Sequence, residues 1–366
     1  MAKTESLQAG YLHSLARRLF TAAGTPPHIA DTVAAILVNA NLAGHDSHGV
    51  LRVPAYLQSI EKGGIDPAAE PEVIRETAGT LLIDGKNGFG HHAAHQAMQR
   101  AIEKAKQADL CAASFLRTGH IGRLGEYAEA AARAGCIGLV MCGGGGPGSR
   151  IVPYGGARGA LGTNPIAIGA PTGSEAPFLI DMATSMIAEG KIQVARSRGA
   201  DLPPGCIVDR NGSPSVRTAD FYDGGFLLPF GGHKGYALSF FACLFSTLSG
   251  SFDRERGSLW GTSMLVLNIS AFTPLAEYQE SLRAFLDSIR ATPPAPGFAE
   301  VLVPGDFEAR SRAERLARGI ELPVTITQQL RAWAARLDVW MSEDAVEPAD
   351  MERYASRASP DTTVNP

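Results

Sequence analysis

The sequence predicts an α/β protein with a mixed β-sheet in the middle of the chain and flanking N- and C-terminal helices. Three observations carry this expectation. Two segments near the N-terminus place apolar residues at helical spacing, strand-like and helix-like segments alternate from Thr80 to Cys142, and short apolar strands dominate from Ile166 onward.

Taking the elements in order, Leu7, Tyr11, Leu12, Leu15, Ala16 and Leu19 line one face of a first helix. The stretch "PPHIADTVAAILVNANLAG" repeats the pattern behind Pro26 and Pro27, which preset the first turn of a helix. A short helix is predicted from Pro54 to Lys62, stopped by Gly63 and Gly64. "TLLIDGKNGFG" reads as a strand and turn, "HHAAHQAMQRAIEKAKQADL" as a helix, "CAASFLR" as a strand, "GEYAEAAARAG" as a helix and "CIGLVMC" as a strand. "IAIGAP", "FLIDMAT", "CIVD" with a turn at Asn211-Gly212, "SMLVLNI" and "FAEVLVPGD" (Phe298 to Asp306) are further strand candidates, interleaved with helical stretches. The domain reading is residues 1–75 packing with 290–341, a mixed-sheet region over 76–289, and a loose polar tail over 342–366.

Composition excludes several classes. With 45% hydrophobic and 19% charged residues over 366 positions, the chain can bury a real core. A formal charge of −4 offers no electrostatic footprint for nucleic acid or an anionic membrane. The N-terminus lacks the apolar core and cleavage site of a secretory signal. The most apolar run, "YALSFFACLFSTLSG" (Tyr236 to Gly250), is shorter than the ~20 residues of a spanning helix and reads as a buried one. Five scattered cysteines in apolar segments point to reduced thiols and a cytoplasmic protein.

"CGGGGPGSRIVPYGG" contains G-x-G-x-x-G (Gly143, Gly145, Gly148) after a predicted strand. Pro153 and Gly155-Gly156 interrupt the helix that a dinucleotide fingerprint requires, and no Asp or Glu occurs from Ala130 through Ser174. A Rossmann fingerprint is therefore rejected. The same stretch holds Arg133, Arg150 and Arg158 among glycines, a surface suited to phosphate unless it is only a tight turn.

"AGHDSHGVLRVPAYL" sets Ser47, His48 and Arg52 within one short stretch. A guanidinium grips a carboxylate through two parallel hydrogen bonds, and an imidazole beside it can move a proton. Such a trio fits a 2-oxo or 2-hydroxy acid; the competing reading is an exposed helix start. His120 lies in the glycine-flanked "RTGHIGRLGEYA", Asp181 ends an apolar strand, and Lys234 opens the apolar helix at a position where its charge opposes the dipole. His91 and His95 have i,i+4 spacing without HExxH, and no metal is predicted.

Seven ordered motifs, "DSHGVLRVPAYL", "TGHIGRLGEYA", "VPYGGARGALGTNPIAIGAP", "DMATSMIAEGKIQVARSRG", "DRNGSPS", "GGHKGYALS" and "TPPAPGFAEVLVPGD", resemble the malate/L-lactate dehydrogenase family. That NAD(P)-dependent group has a non-Rossmann, sulfolactate dehydrogenase-like fold and includes ureidoglycolate dehydrogenase, diketogulonate reductase and piperideine-2-carboxylate reductase. The resemblance implies a nicotinamide cofactor (NAD or NADP), a small-molecule carboxylate substrate and a homodimer. It implies His48 as proton donor with Ser47 and Asp181 as relay partners, Arg52 as the carboxylate clamp, and His120 as acid/base in some members. Cofactor contacts are implied for His120, Ile121, Gly122, Arg123 and Leu124, for Ile180, Asp181, Met182, Ala183, Thr184, Ser185 and Met186, for His233 and Lys234, and for Pro304, Gly305 and Asp306. The expected reaction is hydride transfer between the nicotinamide and a 2-hydroxy/2-oxo acid. Alternatives are reduction of a cyclic imino acid and, more distantly, a non-enzymatic metal- or ligand-binding scaffold. The glycine run and Ser149-Arg150 replace a polar turn common in relatives; Arg150 could favour a 2′-phosphate, but the sequence does not decide between NADH and NADPH.

Overall fold

The structure, a computed structural model, describes residues 3–340 and 346–355. The chain begins with a strand, Thr4–Leu7 (β1), and three helices, Ala9–Ala22 (α1), Pro27–Leu42 (α2) and Val53–Glu61 (α3). Two 3₁₀ turns, Asp46–His48 and Val50–Arg52, join α2 to α3. Next come Glu72–Glu76 (β2), Thr80–Asp84 (β3), Gly90–Ala108 (α4), Leu110–Leu116 (β4), Gly125–Arg133 (α5), Cys136–Gly145 (β5), Ile166–Ala170 (β6) and Phe178–Met182 (β7). A small lobe follows: Glu189–Ser197 (α6), Ile207–Val208 (β8), Pro214–Ser215 (β9), Thr218–Tyr222 (α7) and Phe226–Leu227 (β10). The chain then forms His233–Ser246 (α8), Leu259–Asn268 (β11), Leu275–Arg290 (α9), Asp306–Arg318 (α10), Ile320–Pro323 (β12), Val324–Arg336 (α11) and Pro348–Ala355 (α12).

Seven strands form the central sheet in the order β2-β3-β4-β11-β5-β6-β7. β3 and β4 pair in parallel, with α4 as the crossover between them, while the other neighbours are antiparallel. The sheet is mixed, as the sequence predicts. β11 arrives from the C-terminal half and inserts between β4 and β5, which no Rossmann unit permits. One core lies between this sheet and α4 and α5; a second joins α1, α2 and α3 to β12 and α11.

The glycine run is the end of a central strand. Gly143 to Gly145 pair with Leu259 to Gly261 of β11, and a Cβ on Gly143 would stand 2.4 Å from the Ala242 backbone of α8. Helix α8 approaches this closely through a stripe of small residues, Gly235, Ser239, Ala242 and Ser246. Its other face is open, which corrects the expectation of a buried helix: Phe240 and Leu244 are 51% and 66% exposed, and Leu248 in the 3₁₀ turn that follows is 61% exposed. An apolar run announces that a face needs covering, but not which neighbour covers it.

Three further expectations change. Phe298 to Asp306 forms no strand: Pro304 lacks an N–H, Gly305 takes φ +101°, and Asp306 turns back to accept from the Val303 amide at 3.0 Å. The "CIVD" strand shrinks to two residues. The tail is ordered over Pro348–Ala355, where Asp350 lies 2.8 Å from His13 Nδ1 and accepts from Arg17 at 3.0 Å, while 341–345 and 356–366 lie outside the described residues. All five thiols are unpaired, and no helix among the described residues is long and apolar enough to cross a membrane.

Candidate active site

The two 3₁₀ turns between α2 and α3 hold the first group of site residues. They are clamped by Asn41, fully buried at the end of α2, whose Oδ1 accepts from Val50 N at 2.8 Å and whose Nδ2 donates to Asp46 Oδ1 at 2.6 Å. Arg315 of α10 grips the same carboxylate through two nitrogens, at 2.6 and 3.0 Å, and His45 lies 3.2 Å from Glu308 of that helix. Helix α10 thus fixes a turn far earlier in the sequence, as the 269-residue separation of the Arg315–Asp46 pair records.

Within the clamped turn, Ser47 Oγ is hydrogen-bonded to His48 Nδ1 at 2.9 Å, and Arg52 Nε donates to the Ser47 carbonyl at 2.7 Å. Among the described residues no carboxylate pairs with Arg52, whose remaining guanidinium nitrogens are thereby left to an outside anion. His120, from the loop between β4 and α5, stacks on His48 with ring centres 5.4 Å apart and planes 17° apart. The sequence places these two imidazoles 72 positions apart; the fold makes them a pair.

Two residues escaped the sequence reading. Tyr56 lies one helical turn after Arg52, and its hydroxyl is 2.6 Å from His120 Nδ1 and 3.5 Å from His91 Nε2. His91, singled out earlier only for its metal-like spacing, is completely enclosed, and its ring meets those of Tyr56 and His120 edge-on at 5.3 and 5.9 Å. A Cβ at position 122 would stand 2.8 Å from His91 Nε2, and Gly122 also takes φ +76°, so the loop bearing His120 requires glycine there.

The electrostatics follow from burial beside a cation. Loss of water, then the charges of His120 and Arg52, pulls the His48 pKa from 6.5 to about 3. Burial and then Arg52 bring His120 to about 4, although its outer edge remains open to solvent. His91 lies well below the usual range for the same first reason, and burial drives the Tyr56 phenol upward. All three imidazoles and the phenol are therefore neutral at pH 7.

Asp181 sits elsewhere in this network. Its Oδ2 accepts from the Gly125 amide at 2.8 Å and lies 3.2 Å from Arg123 Nε, and Arg123 in turn donates to Glu129 at 2.6 Å. Of the two expected relay partners, Ser47 meets His48; among the described residues Asp181 instead anchors the start of α5. The Arg123 guanidinium and the side chains of Ile121, Leu124 and Thr184 are buried in the protein, so those positions offer a ligand only backbone. Met182, Met186, His233 and Lys234 are exposed, and Pro304 lies against β7 through a 3.3 Å bond from Leu179 N. At the N-terminus of α8 the amides of Lys234, Gly235 and Tyr236 already donate to the Gly231, Phe230 and Gly232 carbonyls at 3.3, 3.0 and 3.2 Å, so what this end of the helix offers a diphosphate is the exposed side chain of Lys234. Arg150 is exposed; its guanidinium lies 4.3 Å over the Phe221 ring and one nitrogen donates to the Phe221 carbonyl at 3.2 Å. Arg133 is paired with Glu129.

With this geometry in view, comparison with known proteins is informative. The family model for malate/L-lactate dehydrogenase matches residues 7–331. Malate dehydrogenase from Pyrococcus horikoshii is 35% identical over 345 residues, spanning 90% of this chain and 94% of that protein. The structure of sulfolactate dehydrogenase from Methanocaldococcus jannaschii superposes with a TM-score of 0.85 at 31% identity, covering 94% of this chain and 100% of the other. That of Δ1-piperideine-2-carboxylate reductase from Pseudomonas syringae gives 0.78 at 33% identity, covering 90% and 100%. Fold and similarity together define an oxidoreductase of the dehydrogenase type, built on a mixed sheet in place of a Rossmann unit. The chain belongs to the malate/L-lactate dehydrogenase family.

Proposed function

We propose that the protein is an NAD(P)-dependent dehydrogenase acting on a small 2-hydroxy/2-oxo acid. The observation that carries this reading is Arg52, a half-buried guanidinium without a carboxylate of its own, beside two stacked neutral imidazoles. Arg52 would take the substrate carboxylate, setting the adjacent carbon beside His48 and His120. The exposed Lys234 at the start of α8 would hold the diphosphate of the cofactor, with Met182 and Met186 offering apolar surface. When bound, the nicotinamide supplies or accepts the hydride.

The resting histidines are neutral and so are ready to accept the hydroxyl proton during oxidation. In the reducing direction one of them must carry a proton. Burial is the first cause of their low pKa and Arg52 a further one, so a carboxylate settling on Arg52 raises both. Ser47 on His48 and Tyr56 on His120 fix which ring nitrogen faces outward. General acid–base assistance of this kind is worth ~10²–10⁴-fold.

A second reading, reduction of a cyclic imino acid, is favoured by the similarity to the piperideine-2-carboxylate reductase and by the neutral imidazoles, since an iminium needs no proton from the protein. Initial rates with NADH and NADPH against pyruvate, oxaloacetate and Δ1-piperideine-2-carboxylate separate the two. Turnover of the cyclic imine alone would overturn the hydroxy-acid reading. We further propose that the open face of α8, with Phe240, Leu244, Leu248 and the nearby Phe252 and Trp260, packs against a second copy of the chain. Light scattering at the mass of one chain would refute that. The unpaired thiols suit a reducing compartment such as the cytoplasm.

A further inference from the structure

Away from the cleft, three side chains remote in sequence converge. His28 opens α2, Glu70 lies in the segment before β2, and His92 is in the first turn of α4. Glu70 Oε1 is 2.5 Å from His28 Nε2, and Oε2 is 2.8 Å from His92 Nε2. The three ligating atoms lie within 4.8 Å of one another, and the two rings meet edge-on at 5.6 Å and 68°. We propose that His28, Glu70 and His92 bind one divalent transition-metal ion of the zinc class.

The donor chemistry points to that class. Two imidazole nitrogens and a carboxylate oxygen suit a borderline-soft, tetrahedral ion, whereas calcium or magnesium would need oxygen donors throughout. A fourth donor stands ready in Gln96, one turn after His92, whose amide is 2.9 Å from His92 Nε2 and 3.1 Å from Glu70 Oε2. Turned over, that amide presents an oxygen; water can take the position otherwise. No arginine or lysine competes for the site: among the described residues, Glu70 pairs with the two imidazoles alone. The other histidine–carboxylate group, His13 with Asp31 and Asp350, differs in this respect, because Arg17 and Arg353 already neutralise its carboxylates.

His92 is almost fully buried and supplies a fixed donor, while His28 and Glu70 are about half exposed and leave an entry path. An ion bound at Nε2 uses the lone pair of that nitrogen, so in the loaded site each imidazole carries its ring proton on Nδ1. The ion would tie the segment that follows α3 to both α2 and α4. Its role is that of a staple, with no part in hydride or proton transfer.

The test uses the full chain after chelation and dialysis, titrated with zinc chloride in a calorimeter and with cobalt chloride by visible absorption. One ion per chain, tetrahedral cobalt bands and a rise in the unfolding midpoint on adding zinc are expected. His28→Ala, at an exposed position, leaves the fold and the dehydrogenase activity unchanged but weakens zinc binding by at least roughly 10–100-fold, as does Glu70→Gln. Zinc affinity and midpoint shift that are equal in the unaltered protein and in His28→Ala, or no binding at all, would show a plain hydrogen-bonded trio and overturn the proposal.

Discussion

Replacing Arg52 with lysine is the most direct probe of the active site. Arg52 spends Nε on the Ser47 carbonyl at 2.7 Å, which orients the fork and leaves its two terminal nitrogens for a carboxylate. Lysine preserves the positive charge, so the field at His48 and His120 changes little. It has one point of attachment where arginine has a fork, and it loses the tether to Ser47. One charge-assisted hydrogen bond to the substrate disappears, about 1.5–3 kcal/mol, or roughly 10–100-fold in affinity. The expected result in an assay of nicotinamide absorbance is a KM for the acid raised by that factor. The cofactor dissociation constant, read by fluorescence titration, should stay within about twofold of its original value, because the proposed diphosphate site at α8 involves other residues. An unchanged KM would remove Arg52 from the site and with it the proposed mode of substrate binding.

Tyr56→Phe keeps the packing but removes the 2.6 Å bond to His120; a 2–10-fold loss in kcat with little change in KM is expected, roughly the worth of one neutral hydrogen bond. Should kcat be unaffected while His120→Asn abolishes turnover, the phenol has no part in orienting the ring. Asp181→Asn strips a buried partner from Arg123 and should lower stability by about 3 kcal/mol, seen as a fall in the denaturant midpoint. If Asp181 instead relays protons to His48, the substitution would shift the pH–rate profile while leaving the midpoint in place. Stability itself should fall on acidification. The folded pKa values of His48 and His120, about 3 and about 4, lie below the unfolded value of 6.5, so the unfolded chain binds more protons between those limits. Their contribution is complete above pH 6.5 and is lost as the pH drops toward 4; denaturant midpoints that rise over that interval on acidification would contradict it.

Much of this fold is legible from local pattern. The periodicity of Leu12, Leu15 and Leu19 and the alternation from Thr80 to Cys142 correspond to α1 and to the β3–β5 stretch because each depends on residues within a few turns of one another. The pairing of β1 with β12 was not legible: two four-residue strands more than 300 positions apart carry no local mark. Separation in sequence also hid the grip of Arg315 on Asp46, 269 positions away, and the meeting of Glu70 with His28 and His92, 42 and 22 positions away. Tyr56 read as an ordinary helical aromatic, since nothing beside it in the sequence announces that His120 will stand against its hydroxyl. Asp181, conspicuous at the end of an apolar strand, was visible as an unusual carboxylate; the partner that explains it, Arg123, is visible only once β7 and α5 are brought together.

The pairing of β1 with β12, the docking of α12 on α1 and the hold of Arg315 on the Ser47–His48 turn also bear on how the protein is made. A ribosome releases the residues of the Ser47–His48 turn well before those of α10, whose Arg315 is part of their supporting layer. The first helices must therefore wait, with part of their apolar faces uncovered, until β12 and α12 have been made. A prematurely terminated product would carry every histidine of the cleft and still lack the scaffold that aims them.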